Sequence, residues 1–251
     1  MTPVSTDQAA PVVVGVDGSW KETGAVEWAL EEALRTGAPL QVLHGTEKSR
    51  GEQPLAKVAE DAGMLVVGRN DGGSLARLLL GLTAESTIAA AKVPAVVVPD
   101  DWKPDEHRGG PVIVGIDADA FESNEDALTF AFESAAVRSV PVRIVYAWDL
   151  PHGYTGLGDS EVQRRERAKW EHFDNLVDRW RAKYPSVDVH VAMPRSDAVD
   201  ALVGDAWASD AQLIVVGGRR LGRLAAFLLG SVTRGVLHHA SCPVAVVHAP
   251  D

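Results

Sequence analysis

One stretch of this chain occurs twice, and that repetition restricts the fold more than any other feature. Residues 11–19 read PVVVGVDGS, and residues 111–119 read PVIVGIDAD, an offset of 100. LVVG at residues 65–68 returns at the end of LIVVG, closing on Gly217, and Leu80-Gly81 returns as Leu229-Gly230, both at an offset of 149. The jump between the two offsets means that the first copy lacks a block of about 49 residues in its middle. A length of 251 residues is enough for two ordinary domains that each bury a core without metal or disulfide support. The reading is a truncated first domain at residues 1–101 and a complete second domain at 109–251, joined by a polar connector at 99–110 with two prolines and two glycines.

Each copy opens with an apolar run rich in valine and isoleucine, the pattern of a strand buried on both faces in a parallel sheet. Helices are expected directly afterwards, at 25–35 and 127–137. Ser19 with Glu22, and Ser123 with Asp126, have capping-box spacing ahead of them. Second strands are expected at 40–44 and 142–147. Repeating strand–helix–strand units of this kind form parallel sheets with right-handed crossovers. The fold class is therefore α/β, two tandem open parallel-sheet domains with the first truncated.

The second copy then inserts a long helix at about 161–183 and a strand at 187–192. Val162, Trp170, Phe173, Val177, Trp180 and Tyr184 recur at steps of three and four, the stripe of a core-facing helix. The first copy has only a polar connector at 45–54, a loss that is tolerable if the missing strand lay at the sheet edge. The copies rejoin as helices at 55–62 and 198–208, as strands at 64–68 and 212–217, and as last strands at 95–98 and 244–247, each after a proline.

Several function classes are disfavoured. A formal net charge of −11 does not suit general nucleic-acid binding. The local cluster of Arg164, Arg165, Arg167 and Lys169 is interleaved with Glu161, Glu166 and Glu171, as on a solvated helix face. No stretch approaches the 18 apolar residues of a membrane span, and the first residues show neither a basic start nor an apolar run, so a cytoplasmic protein is expected. The single cysteine, Cys242, reads as a small apolar filler at a strand entrance. Residues 217–224 have the glycine spacing of a P-loop, but Arg223 and Leu224 stand where lysine and serine or threonine are required. His238 and His239 are adjacent and point to different helix faces, as surface or C-terminal dipole residues, and His44, His152 and His190 have no metal partners at ligand spacing.

A phosphate site is legible in the second copy. Gly217 ends a strand at the carboxyl edge of a parallel sheet, where ligands bind in open α/β folds and a missing β-carbon lets a ligand approach backbone. Gly230 and Ser231 begin a helix, whose first N–H groups and partial positive charge suit an anion; Ser231 either caps that helix or donates to a phosphate. Asp117 ends the first strand, either as a turn residue bonded to the next helix or as a ligand carboxylate.

The segment VVGGRRLGRLAAFLLGSVTRGVLHHASCPVAVV resembles the nucleotide-binding signature of the universal stress protein family. That signature is a glycine, two residues, a glycine, nine residues, then a glycine followed by serine or threonine, with an aspartate ending the first strand. The resemblance covers essentially the whole chain, as a tandem pair of the actinobacterial type. It implies a Rossmann-like fold of the adenine nucleotide alpha hydrolase kind and ATP, with or without magnesium, in the second domain. The residues it assigns are Ile116, Asp117, Gly217, Arg220, Gly230, Ser231, Val232 and Thr233. Arg220 replaces the second signature glycine, and it either reaches a phosphate as a charged donor or fills the phosphate volume.

The first copy departs further. Asp17 and Gly68 are retained, but Asp71 stands where the second glycine belongs, and Gly81 is followed by Leu82 where a hydroxyl belongs. A carboxylate about 4 Å from a phosphate charge costs about 4 kcal/mol at a surface-like dielectric. The expectation is a first copy without nucleotide, acting as a structural or regulatory partner. By resemblance the last strand of each copy is a sheet edge, so the two are expected to cover each other as an intrachain pseudo-dimer, with further dimerisation of two chains open. The functional expectation is a regulatory adenine-nucleotide-binding module, not an enzyme, that couples ATP to an unknown protein partner. Slow ATP hydrolysis would be incidental. The alternative is a stress-response scaffold whose phosphate site Arg220 occupies.

Overall fold

A computed structural model describes residues 9–16, 24–44, 55–69, 82–104, 109–117, 124–148, 159–218 and 229–248. In chain order the first copy contributes β1 (Val12–Val16), α1 (Gly24–Thr36), β2 (Leu40–His44), α2 (Leu55–Val58), β3 (Met64–Arg69), α3 (Leu82–Ala90) and β4 (Ala95–Pro99). The second contributes β5 (Val112–Gly115), α4 (Glu125–Arg138), β6 (Val142–Val145), α5 (Asp159–Lys183), β7 (Val189–Ala192), α6 (Ala198–Ser209), β8 (Leu213–Gly218), α7 (Ser231–His239) and β9 (Val244–His248).

These strands form one sheet in the order β2-β1-β3-β4-β9-β8-β5-β6-β7. Every neighbouring pair is parallel except β4 with β9. There the two last strands meet antiparallel, with Ala95 opposite Val246, Val96 opposite Ala245 and Val97 opposite Val244. The two expected sheets are thus fused into one. Edge strands carry unpaired N–H and C=O groups, and pairing the two apolar edges removes both.

Successive strand residues face opposite sides, so the valine-rich runs feed two cores. Val12, Val14, Val66, Val112, Val114, Ile144 and Val215 pack under α1, α4 and α5. Val13, Leu65, Val67, Ile113, Ile214 and Val216 pack under α3, α6 and α7.

The strand peculiar to the second copy, β7, is an edge strand, which is why the first copy survives without its equivalent. The loss is visible next door. Register pairs Val12 with Leu40 and Val112 with Val142, so Val42 is the counterpart of Ile144. Ile144 is fully buried, whereas Val42 is 52% exposed. In the second copy α5 supplies the cover: Phe173, Leu176, Val177 and Trp180 are buried, and the Trp180 ring stacks on Phe132 at 4.9 Å.

The structure corrects several details. Trp170, expected in the apolar stripe of α5, is 42% exposed; Val162 lies outside the described side chains. The helix expected at 55–62 is a single turn, α2. The connector expected to be polar is anchored by Trp102, which is buried against the core beneath α1. The cap of α4 is Asn124, and no side-chain capping bond is made. Ser19, Glu22 and Ser123 lie outside the described residues.

Candidate functional site

The carboxyl ends of β5, β6 and β8 and the start of α7 enclose a cavity of about 350 Å³. Within the second copy the order β7-β6-β5-β8-β9 runs backwards along the chain to β5 and forwards from β8. The β5/β8 gap is therefore the switch point, where helices following adjacent strands leave on opposite faces and open a crevice. The volume lies within the usual range for small-molecule sites, about 300–1,000 Å³.

Of the residues assigned from sequence, Ile116, Asp117, Gly217, Gly230, Ser231, Val232 and Thr233 all line this cavity. Arg220 lies outside the described residues, as do Asp17, Asp71 and Gly81 of the first copy. Leu82 opens α3, with its side chain outside the described set. Gly68 lies within β3, and a β-carbon placed on it would sit 3.4 Å from the Asp100 carboxylate oxygen Oδ1. The first copy thus brings a carboxylate to its equivalent strand end, and it comes from a residue the sequence comparison did not single out.

The helix end is arranged for an acceptor. Gly230 is the N-cap of α7 and has no side chain with which to cap it. Ser231 occupies the first helical position, so the reading in which it caps its own helix falls. Its hydroxyl joins the N–H groups of a first turn that receives no side-chain cap. Thr233 is buried and donates its hydroxyl to the Gly217 carbonyl at 3.4 Å, tying α7 to the end of β8.

Asn124 was missed in the sequence, where Ser123 carried the capping pattern. Its Nδ2 donates to the Asp117 carbonyl at 2.7 Å, and its Oδ1 accepts from the Asp117 N–H at 3.4 Å. Both ends of one amide grip one peptide segment, fixing the backbone that carries Asp117. Tyr146 and Leu202, also missed, complete the walls. Phe173 of α5 backs Tyr146 at 5.0 Å, so the segment absent from the first copy supports the site in the second. A tyrosine after an apolar run has no periodic signature, which is why only the fold reveals it.

Two histidine readings change. His238, expected at the surface, is partly buried with Nε2 3.5 Å from Oε1 of Glu85 in α3. His190 does find a carboxylate, Asp188 at 3.2 Å, but both side chains are largely exposed. Among the described residues no group of three potential metal ligands occurs. No described helix is long and apolar enough to cross a membrane. Cys242 is buried, and burial pushes its thiol up to about 12, so it stays protonated and unreactive at neutral pH.

Comparison with known proteins gives a consistent result. The family model described as the universal stress protein family matches residues 10–60 and 110–248. The match lapses over the later part of the first copy, where Asp71 and Leu82 depart from the signature. A universal stress protein of Mycobacterium tuberculosis (strain ATCC 25618 / H37Rv) is 30% identical over 296 aligned positions, covering 94% of this chain and 96% of the relative. A counterpart from Mycolicibacterium smegmatis is 28% identical over 287 positions with the same coverage. Both alignments are longer than the chain itself, so these relatives carry segments that this chain lacks. Among solved structures, a putative universal stress protein from Pseudomonas aeruginosa superimposes with a TM-score of 0.62 at 16% identity over 96% of this chain and 93% of that one, a likeness of fold. The chain therefore belongs to the universal stress protein family.

Proposed function

We propose that this chain is a regulatory adenine-nucleotide-binding module whose second copy holds ATP, with or without magnesium, and whose first copy holds none. The observation that carries the reading is the convergence of four signature positions, Asp117, Gly217, Gly230 and Ser231, on one switch-point cavity. Gly217 carries no side chain, so the backbone at the end of β8 is open to close approach. The start of α7 faces the phosphates with N–H groups and the Ser231 hydroxyl, and Asp117 faces the base and ribose. The apolar walls, Ile116, Val145 and Leu202, suit a flat ring.

Binding without turnover is part of the reading. The cavity's one carboxylate among the described residues, Asp117, is assigned to the base and ribose, and function then lies in the coupling of occupancy to a protein partner. The antiparallel seam supports an intrachain pseudo-dimer, in which the first copy takes the place of a second subunit.

Calorimetric titration of the full chain with ATP and magnesium tests this reading. One site per chain is expected, lost in Gly230→Val and weakened about tenfold in Asp117→Ala. Absence of heat together with an unchanged melting temperature removes it. Arg220→Gly then separates the two roles of that arginine: tighter binding marks it as a plug, weaker binding as a phosphate donor.

A further inference from the structure

Four pairs of positions related by the 149-residue offset, Arg69 and Gly218, Glu85 and Arg234, Ile88 and Leu237, Pro99 and His248, frame the contacts between the copies. Ile88 and Leu237 occupy the last turns of α3 and α7, where carbonyls run out of i+4 donors; the Ile88 carbonyl also accepts from the Ala91 N–H at 3.2 Å. Each carbonyl is reached from the opposite copy. Arg69 Nη1 donates to the Leu237 carbonyl at 2.7 Å, and His248 Nε2 lies 3.0 Å from the Ile88 carbonyl. The donors are not equivalent residues. In the first copy the arginine ends β3, with Pro99 as its register partner. In the second the histidine ends β9, beside Gly218. A β-carbon on Gly218 would collide with the His248 ring, so the glycine that lines the cavity is also the one that admits the seam histidine.

The helix gripped by Arg69 is the one whose first turn forms the phosphate side of the cavity. α7 has nine residues and spans about 14 Å, too short to bend appreciably, so its C-terminal anchor sets the position of its N-terminus. A guanidinium is also the favourable charge at a helix C-terminus. Arg69 is buried, and a buried cation is retained only with good geometry. A second cross-copy contact acts on the same helix: Glu85 of α3 lies 3.7 Å from Arg234 and 3.5 Å from His238. At this offset a pair of identical subunits would oppose like residues, whereas here the carboxylate faces a cation.

We propose that Arg69 is a positioning residue for the second copy's cavity: the first copy, which binds no nucleotide itself, holds α7 in the register that presents Ser231, Val232 and Thr233 to the ligand. The inference rests on the nucleotide-binding reading for its ligand, but the placement of α7 is measurable without one.

The test uses the full chain with Arg69→Met, which keeps the length and removes the donor, and Arg69→Lys, which restores one. Without ligand, amide exchange over residues 229–239 should quicken at least tenfold in Arg69→Met and return to within about threefold of wild type in Arg69→Lys. The ATP Kd should rise five- to tenfold in the methionine variant and recover in the lysine variant. Exchange unchanged over 229–239, or raised as much in β4 and β9 as in α7, would overturn the proposal, as would quickened exchange with unaltered ATP affinity. If the wild type fails to bind ATP, the nucleotide reading falls, and the exchange result still decides whether Arg69 positions α7. Should Arg69→Met not fold, Arg69→Gln, whose amide is too short to reach the Leu237 carbonyl, serves at the same position: a rise of fivefold or more over 229–239 that is absent in Arg69→Lys supports the proposal, and no rise overturns it.

Discussion

The two copies share a strand order around their first strands but differ in what covers the outer side of the sheet. In the second, α5 buries Phe173, Leu176, Val177 and Trp180, with Trp180 on Phe132 of α4 and Phe173 on Tyr146 just past β6, and β7 extends the sheet at its edge. In the first nothing equivalent exists among the described residues, so β2 is the sheet edge and Val42 is half exposed. The comparison shows which parts of such a domain are separable. Strands at the centre are buried on both sides and cannot be removed, whereas an outer strand with its covering helix can go if its neighbour tolerates water. The same segment that shields the core also backs Tyr146 of the cavity, so losing it weakens the site as well as the core.

Core substitutions should show the largest asymmetry. Phe173→Ala empties a fully buried position between α5 and the sheet and is expected to destabilise the chain by about 3–5 kcal/mol. Leu34→Ala on α1 of the first copy removes a side chain that is 75% exposed, and should fall within about 0.5 kcal/mol of wild type. Urea unfolding measures both. A cost above about 2 kcal/mol for Leu34→Ala would mean that the first copy has cover of its own.

The seam comes next in size. Arg138 of α4 and Glu32 of α1 form an ion pair at 2.5 Å with 2% and 3% of their side chains exposed, and the guanidinium also lies over the Trp28 ring. Burial lowers the Arg138 pKa, with Glu32 opposing that shift, so the charge depends on its partner. Arg138→Met strands a buried carboxylate and should cost about 3 kcal/mol, while Arg138→Met combined with Glu32→Leu should recover most of it, as replaced buried pairs commonly do. A double variant no better than the single would show that the pair does more than neutralise itself.

Much of this architecture is legible in the amino-acid sequence. The repeat marks the strand–helix–strand units, and glycine chemistry at Gly217 and Gly230 marks the cavity's position, because strand ends and helix starts have local signatures. What the sequence hides depends on contacts between distant residues. Asn124 resembles any helix-start residue until its amide is found on Asp117. Arg69 reads as one more polar residue at a strand end, and its role exists only because β4 and β9 pair. Trp170 fits the helical stripe, yet it is exposed, and periodicity alone does not tell which stripe residues are covered.

A smaller effect concerns the thiol at the entrance to β9. Burial raises Cys242 from 9.0 to about 12. Below about pH 9 it is protonated whether the chain is folded or unfolded, and its full contribution is present. Above that, the unfolded chain ionises first, so stability falls with pH until the folded thiol ionises near 12, by about 1.4 kcal/mol per pH unit. Between pH 8 and pH 10 the wild type should lose about 1.4 kcal/mol more than Cys242→Ala, read from urea midpoints. Parallel losses in the two proteins would place the titration elsewhere.

The smallest effect returns to a matched pair of positions. α1 ends at Gly37, with φ 69°, and α4 ends at Ser139, with φ 55°. Both are the left-handed residue that closes a helix, and the Ser139 N–H bonds back to the helix carbonyls. Only glycine adopts this conformation without a β-carbon penalty, so the second copy holds strain that the first avoids. Ser139→Gly should stabilise the chain by about 0.5–1 kcal/mol, the penalty relieved less the extra freedom glycine gives the unfolded chain, and Gly37→Ser should destabilise it by a similar amount. A gain at Ser139 without a loss at Gly37 would show that the first copy's helix end is loose enough to relax, the expected consequence of an uncovered β2.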